Sequence, residues 1–523
     1  MDDIVIYREL ISLISLDGVK PSDIQKIKTT VSKKYGLSSI PRNSEILAAA
    51  TEEERESLRP VLQMKPSRTI SGVAPVAVMT SPHPCPHGKC LPCPGGPDHL
   101  FNSPQSYTGE EPAALRARQH EYDPYRQVQA RLCQFEELGH VVDKVELIVM
   151  GGTMTARDLK YQEWFMSECI RAMNDHCDTP SEIAQTYDEL CEQNERSGVR
   201  CIGVTFETRP DWCKQEHIDR MLSLGVTKVE LGVQQPDDRI LEYNRRGHGV
   251  SEIVLANHLL REAGIKVGFH VMPNLPSATI EDDRKMFEIL FSDSRFKPDF
   301  IKIYPTLVTP GSEIEDLWKK GEYSVYDEDE LIDLIVYAKS RMPEYVRISR
   351  IQRDIPAKLI VAGSHHSNFR QLCKNRLTEQ GGNCRCIRCR EAGRNRIKNK
   401  PVTEVLEYAS LGGKEFFISI TADDVLIGFI RLRFPDGPWR EELNGAAIIR
   451  ELHVYGSVVP LSRSGEGKEW QHRNFGGELL KKAEDIACDN GYHKIAVMSG
   501  IGVRPYYHRH GYERAGPYMV KRL

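Results

Sequence analysis

The feature that most restricts the fold is an alternation of apolar, β-rich runs with helical patterns between residues 145 and 351. The runs fall at 145–150, 202–206, 228–233, 266–272, 300–304 and 346–351, with helical stretches at 216–224, 252–262 and 281–291. Runs that are apolar on both faces suit parallel strands covered by helices, and strand–helix repetition predicts an α/β fold built on a partial (β/α) barrel. In such barrels the chemistry gathers at the carboxyl ends of the strands, where Gly151, Gly152, Thr153, Glu207 and Gln234 stand.

At 523 residues the chain exceeds one hydrophobic core. The boundaries expected are a small helical module over 1–70, the barrel over 71–355, a linker over 356–400 and a second α/β domain over 401–523. The module alternates apolar stripes with charge, as in Ile24-Gln25-Lys26-Ile27-Lys28. Residues 380–400 are polar, basic and rich in cysteine, with little to form a core. Beyond Pro401, strands at 415–421, 425–434, 448–455 and 494–499 and a helix at 475–490 form the last domain.

Lysine and arginine number 70 against 74 acids, a formal charge of −4, so only local charge can point to a nucleic-acid partner. The acidic start Met1-Asp2-Asp3 and the lack of a long apolar run predict no secretion signal and no membrane span. The expectation is a soluble cytoplasmic protein whose 14 cysteines serve as metal ligands or buried apolar groups.

Cys85-Pro-His-Gly-Lys-Cys90-Leu-Pro-Cys93-Pro-Gly-Gly sets three thiols on a proline- and glycine-rich stretch that must be a loop. Three thiolates leave one iron of a [4Fe-4S] cluster open for a reactant. A closed zinc site is the competing reading, with His83, His87 or His99 as a fourth ligand. The glycines after Val145–Met150 can bring backbone close to a bound amino-acid moiety. Together these resemble the radical S-adenosylmethionine superfamily, although the first cysteine gap here is four residues where three is common. The resemblance implies a cluster on Cys85, Cys90 and Cys93 and S-adenosylmethionine held at Gly151–Thr153.

Gln471-His-Arg-Asn474-Phe475-Gly476-Gly477 opens a helix after the strand carrying Glu451, Leu452, His453 and Val454. Backbone N–H groups at a helix start suit a pyrophosphate. The order resembles the phosphate loop of GNAT acetyltransferases, with Asn474 in place of the first glycine, a residue that tolerates positive φ. Arg504-Pro-Tyr506-Tyr507-His-Arg-His-Gly511 is similar to that family's last motif, whose tyrosine packs on the cofactor and protonates a thiolate. A plain helix-start turn and a packed aromatic core are the alternatives.

The two domains in one chain, with Gln105-Ser-Tyr-Thr-Gly109, Glu207-Thr-Arg-Pro-Asp211, Glu230-Leu-Gly-Val-Gln234, Asn244-Arg-Arg-Gly-His248 and Gly516-Pro-Tyr-Met-Val-Lys521, resemble the family of the catalytic subunit of Elongator. The likeness runs from about residue 65 to the C-terminus. It implies a tRNA uridine 5-carboxymethyltransferase acting on the wobble position. A deoxyadenosyl radical would take hydrogen from the acetyl methyl, the carbon radical would add to carbon 5, and hydrolysis would release coenzyme A. The same resemblance implies acetyl-CoA contacts at Lys144, Glu451–Val454, Phe475–Gly477 and Tyr506. Its implied partners are a tRNA anticodon stem-loop and an external electron donor, and a homodimer stays open. Tyr506, Tyr507, Glu207 and Gln234 are the catalytic candidates, the last two for positioning S-adenosylmethionine or the base.

Cys384, Cys386 and Cys389 form a second thiol group, read as structural zinc with Cys373, His365 or His366 as a fourth ligand. Beside it Arg385, Arg388, Arg390, Arg394, Arg396, Lys398 and Lys400 form a basic ridge which, with Lys26, Lys28, Lys33 and Lys34, predicts the tRNA footprint. A protein lysine acetyltransferase with a structural iron–sulfur domain is the competing function.

Overall fold

The computed structural model describes residues 3–37, 39–63, 69, 72–98, 102–176, 185–392, 399–455 and 474–523. Seven parallel strands pair in sequence order: β1 (Ala74–Met79), β2 (Lys144–Met150), β3 (Arg200–Thr208), β4 (Lys228–Gln234), β5 (Lys266–Val271), β6 (Phe300–Ile303) and β7 (Arg347–Ile351). The sheet is an open half-barrel, its two edges being β1 and β7. Six of these strands are the ones the apolar runs predict. The seventh, β1, escapes the sequence pattern because it carries Pro75, which a strand tolerates at a sheet edge, where its missing N–H costs no ladder bond.

Along β2 the residues alternate, Val145, Leu147 and Val149 buried against helices and Lys144, Glu146 and Ile148 turned to the lumen side. The helix Leu159–Asp175 covers this sheet with Phe165, Met166, Cys169, Ile170 and Met173, all fully buried. The N-terminal module is four helices, α1 (Asp3–Ile14), α2 (Ile24–Tyr35), α3 (Asn43–Ala49) and α4 (Glu52–Leu62), closed around Leu10, Val31, Ile46 and Leu58. It docks on the barrel through Gln63 Nε2 and His140 Nδ1, 2.8 Å apart.

The second sheet has the order β13-β14-β12-β11-β10-β9-β8, from β8 (Val402–Ser410), β9 (Gly413–Ala422), β10 (Val425–Phe434), β11 (Ala447–Val454), β12 (Lys494–Met498), β13 (Glu513–Ala515) and β14 (Tyr518–Arg522). The stretch expected to be a linker with little core is folded. Phe369, Cys373 and Leu377 on the helix Phe369–Glu379, with Cys386, Ile387 and Ala392, are buried in the barrel's own core.

The C-terminal sheet seats on the amino ends of the barrel strands, opposite the ends where chemistry gathers. Gly502 packs on Arg200 and Gly500 on Ile202, both in the first turns of β3, and neither position has room for a Cβ. At the centre of this junction four guanidiniums meet four carboxylates. Arg261, Glu262 and Asp299 come from the barrel, and Glu415, Arg431, Arg433, Arg450 and Glu451 from the sheet. Arg450 binds Asp299 through two bonds of 2.7 Å and Glu415 at 3.0 Å. Arg261 and Arg433 hold Glu415 at 2.9 and 3.0 Å, Arg433 also holds Glu262, and Arg431 holds Glu451 at 2.8 Å.

Burial alone would raise the pKa of Asp299, yet Arg450, Arg261 and Arg431 hold it well below the usual carboxylate range. A depressed carboxyl contributes stability that is complete above its unfolded pKa of about 4 and is lost as pH falls toward the folded value. Removing one partner strands the others in a low-dielectric junction. Asp299→Ala should cost about 3–5 kcal/mol in urea unfolding at neutral pH; a change below about 1 kcal/mol would mean that water reaches the junction.

Candidate active site

The loop after β1 carries Cys85, Cys90 and Cys93 over the carboxyl ends of the strands, pinned where Thr80 N donates to Met150 O at 2.9 Å. Every thiol is met by a donor. Cys90 Sγ lies 2.9 Å from His87 Nε2 and 3.1 Å from Arg246 Nη1, Gln105 Nε2 donates to Cys93 Sγ at 3.0 Å, and Thr153 Oγ1 is 3.8 Å from Cys85 Sγ. Burial pushes the Cys85 thiol up to about 11, so at neutral pH it becomes a thiolate only with a metal beside it. Donors rather than carboxylates surround the sulfurs, and His87 Nδ1, His248 Nε2 and Gln234 Oε1 are buried without partners. A thiolate-bound cluster with a polar cofactor fits this set. Burial, then Arg209 and Arg246, lowers His87 to about 3, so it is a neutral imidazole.

These groups line one cavity of about 1300 Å³ with Gly152, Thr153, Glu207, Glu230, Gln234, His270 and Tyr304. Gly151 has φ +117°, and a Cβ there would come within 2.3 Å of Thr80 Oγ1, so the strand end can turn only at glycine. Gln234 sits at φ 66°, an uncommon conformation for a non-glycine residue and of the kind that collects at functional sites.

Below the cysteine loop the lumen holds a chain of opposite charges. Tyr107 donates to Glu207 at 2.6 Å, Lys302 Nζ is 3.3 Å from Glu207 and bonds Glu230, and Lys228 bridges Glu230 at 3.5 Å and Glu146 at 2.9 Å. His270 Nε2 lies 3.0 Å from Glu230. Glu207, Glu230 and His270 approach one another as metal ligands would, but the Lys302 ammonium already supplies the cation between the carboxylates.

At the other end of the barrel β11 pairs with β12 over Ala447–Ile449 only and then diverges, freeing that edge of Glu451, Leu452, His453 and Val454. Asn474 takes φ 60° at the start of the helix Phe475–Asp489, the conformation its place in the loop requires. A Cβ on Gly476 would stand 2.7 Å from the Tyr506 hydroxyl, and one on Gly477 2.6 Å from Asn474 Oδ1. Tyr506 therefore overlies the loop. Tyr507 is instead packed in the domain core between Tyr506 and Tyr512, its ring 5.2 and 5.9 Å from theirs. Lys144 opens β2 in register with Arg200, on the floor that the C-terminal sheet covers. Gln471 lies outside the described residues.

Family profiles match along the chain: the ELP3 N-terminal domain over 5–70, the radical SAM superfamily over 83–290, the radical SAM C-terminal domain over 298–379 and the GNAT acetyltransferase family over 390–512. A Methanocaldococcus jannaschii tRNA uridine(34) acetyltransferase is 48% identical over 92% of this chain and 90% of its own length. Human Elongator complex protein 3 is 43% identical over 96% of this chain and 94% of its own. The chain belongs to the Elongator complex protein 3 family. The solved Methanocaldococcus infernus Elp3 with residues 1–46 deleted is similar to it at 42% identity and TM-score 0.76, covering 87% of this chain and all of that one.

Within this Elongator-type frame the second thiol group closes at three: Cys384, Cys386 and Cys389 lie within 4.8 Å of one another, with no fourth Cys, His, Asp or Glu joining them among the described residues. His366 is taken by Glu328 at 2.9 Å. The ridge beside it needs correction. Arg385 and Arg390 are ion-paired to Glu344 and Asp424 at 2.6–3.1 Å, so their charge ties the knot to the fold. Arg388 lines the cavity, Lys400 is exposed, and Arg394, Arg396 and Lys398 fall outside the described residues. Of the module lysines, Lys28 is buried on Asn43 and Lys34 is paired with Glu9, leaving Lys26 and Lys33 exposed.

Sequence reasoning gave no role to Tyr107, His270 or Lys302. The signal for His270 and Lys302 is a polar residue set between apolar ones on a strand, as in Phe269-His270-Val271 and Ile301-Lys302-Ile303, whereas Tyr107 stands on a loop that carries no such pattern. Gly476→Val would drive a side chain into the Tyr506 hydroxyl, so it should weaken acetyl-CoA binding by about tenfold or more in calorimetry. Unchanged affinity would remove the loop from the cofactor site.

Proposed function

We propose that the chain builds a carboxymethyl group on carbon 5 of the wobble uridine of tRNA, drawing two carbons from acetyl-CoA. The carrying observation is that the donor-ringed thiol loop lies over the carboxyl ends of the barrel strands, while the sheet that carries the Asn474–Gly477 loop is seated on their amino ends. Cys85, Cys90 and Cys93 would hold a [4Fe-4S] cluster, and Gly151, Gly152, Thr153 and Gln234 would hold S-adenosylmethionine. When bound, these supply a 5′-deoxyadenosyl radical able to abstract hydrogen from the acetyl methyl.

The chain's own groups do the rest. Glu451–Val454, Phe475–Gly477 and Lys144 hold acetyl-CoA. Burial raises the Tyr506 hydroxyl above its ordinary value, so it stays protonated and can give its proton to the departing thiolate. Arg116, Arg131, Arg353, Arg370 and Arg388 on the cavity wall offer positive charge to the anticodon stem-loop, from which the wobble base turns inward. An external donor supplies the electron that cofactor cleavage consumes.

The acetyltransferase reading is disfavoured by the same packing, because Glu451 and His453 of β11 face the barrel, beside Lys266 and Arg347, where an acceptor protein would have to enter. Anaerobic protein given tRNA, S-adenosylmethionine, acetyl-CoA and a reductant should yield 5-carboxymethyluridine and 5′-deoxyadenosine, and Cys90→Ala should yield neither. Acetylation of protein lysines without the modified nucleoside would favour the competing activity instead.

We read Cys384, Cys386 and Cys389 as a structural zinc site completed by a ligand from outside the trio. Metal analysis should find zinc in the purified chain and none at this site in Cys386→Ala, with a lower unfolding midpoint. Zinc content unchanged by that substitution would disprove the site.

A further inference from the structure

Replacing hydrogen by carbon at C5 of uracil poses a proton problem that none of the groups above solves. Addition of a carbon radical forms the new C–C bond at C5 and leaves the unpaired electron at C6. Restoring the C5=C6 double bond then requires one electron to leave, to a one-electron acceptor such as an oxidised iron–sulfur centre. It also requires the C5 hydrogen to leave as a proton, and a proton needs a base within hydrogen-bond reach.

The cavity wall holds one side chain built for that task. His270 stands on β5 with its Nε2 3.0 Å from the Glu230 carboxylate. An Nε2–H donated to Glu230 fixes the tautomer and leaves Nδ1 with the free lone pair. Glu230 is kept ionised. Burial would raise its pKa, but Lys302, Lys228 and His270 hold it well below the usual range. A carboxylate so held stabilises the imidazolium that forms when Nδ1 takes a proton, the role the acid plays in a carboxylate–histidine pair. The other charges facing the ring are Glu207 on β3 and Lys302 on β6, and the Tyr304 ring packs edge-on at 5.4 Å. Glu207 suits the task less, since Tyr107 and Lys302 both already bond its carboxylate.

We propose that His270, oriented by Glu230, is the base that removes the C5 proton of the wobble uridine. This rests on the carboxymethylation reading. His270 is then the catalytic residue, and Glu230 and Lys302 are positioning residues. Neither ring nitrogen touches the cysteine loop, so the step is separable from cofactor cleavage.

The separation provides the test. His270→Gln keeps a hydrogen bond to Glu230 but cannot take the proton. Under the anaerobic assay it should still form 5′-deoxyadenosine, while 5-carboxymethyluridine falls by about 100-fold. In its place the adduct radical should take an electron from the assay's reductant and a proton from water, so the tRNA digest should contain the saturated 5,6-dihydro nucleoside, heavier by two hydrogens. Glu230→Gln should give the same saturated nucleoside in smaller yield, a product that a merely structural role would not generate. Carboxymethyluridine at the wild-type rate from His270→Gln, or loss of both products together, would overturn the assignment. Wild-type protein that forms neither product would overturn the reading beneath it. A second measurement needs no cofactor: with 13C-labelled histidine, the His270 resonance should move when a stem-loop with wobble uridine is added and stay put with an abasic one. Equal response to both would contradict contact with the base.

Discussion

The architecture depends on the buried junction of Arg261, Arg431, Arg433 and Arg450 with Glu262, Asp299, Glu415 and Glu451. Four positive and four negative groups cancel, which is what lets so many charges leave water. Swinging the C-terminal sheet away would expose or strand each of them, so the sheet is fixed on the amino ends of the barrel strands. The amino ends of the strands thereby face the sheet that carries the Asn474–Gly477 loop, and the carboxyl ends face the thiol loop. The lumen is lined by the alternating charges of Glu146, Lys228, Glu230, Lys302 and Glu207.

This arrangement explains why polar side chains occupy barrel positions that would otherwise be apolar. Each lumen charge has an opposite neighbour, so the row is tolerated, while the faces of the same strands turned to the helices remain Val, Leu, Ile and Phe. The strain stored at Gln234 and the close turn at Gly151 lie at the strand ends beneath the cysteine loop. Local geometry departs from the ordinary where the cofactors would sit.

Much of this was legible in the sequence. Six barrel strands, the three-thiol loop, the glycine turn after β2 and the positive φ of Asn474 follow from periodicity and residue type. The rest depends on contacts distant in sequence. β1 is hidden by Pro75 and by the long stretch that separates it from β2. Arg385 and Arg390 read as an RNA ridge because their partners, Glu344 and Asp424, lie far away along the chain. Lys28 reads as surface charge until Asn43 is seen beneath it, and Tyr507 cannot be told from Tyr506 until one is found in the core. The expected linker holds Phe369, Cys373 and Ile387, too sparse to announce a core yet sufficient to dock on one already built.

The central claim is that the acetyl methyl and the radical meet inside one barrel. Acetyl-CoA deuterated in the methyl group should pass deuterium into 5′-deoxyadenosine and leave the remaining deuterium in the carboxymethyl carbon on tRNA. 5′-Deoxyadenosine free of deuterium, alongside labelled tRNA, would contradict it.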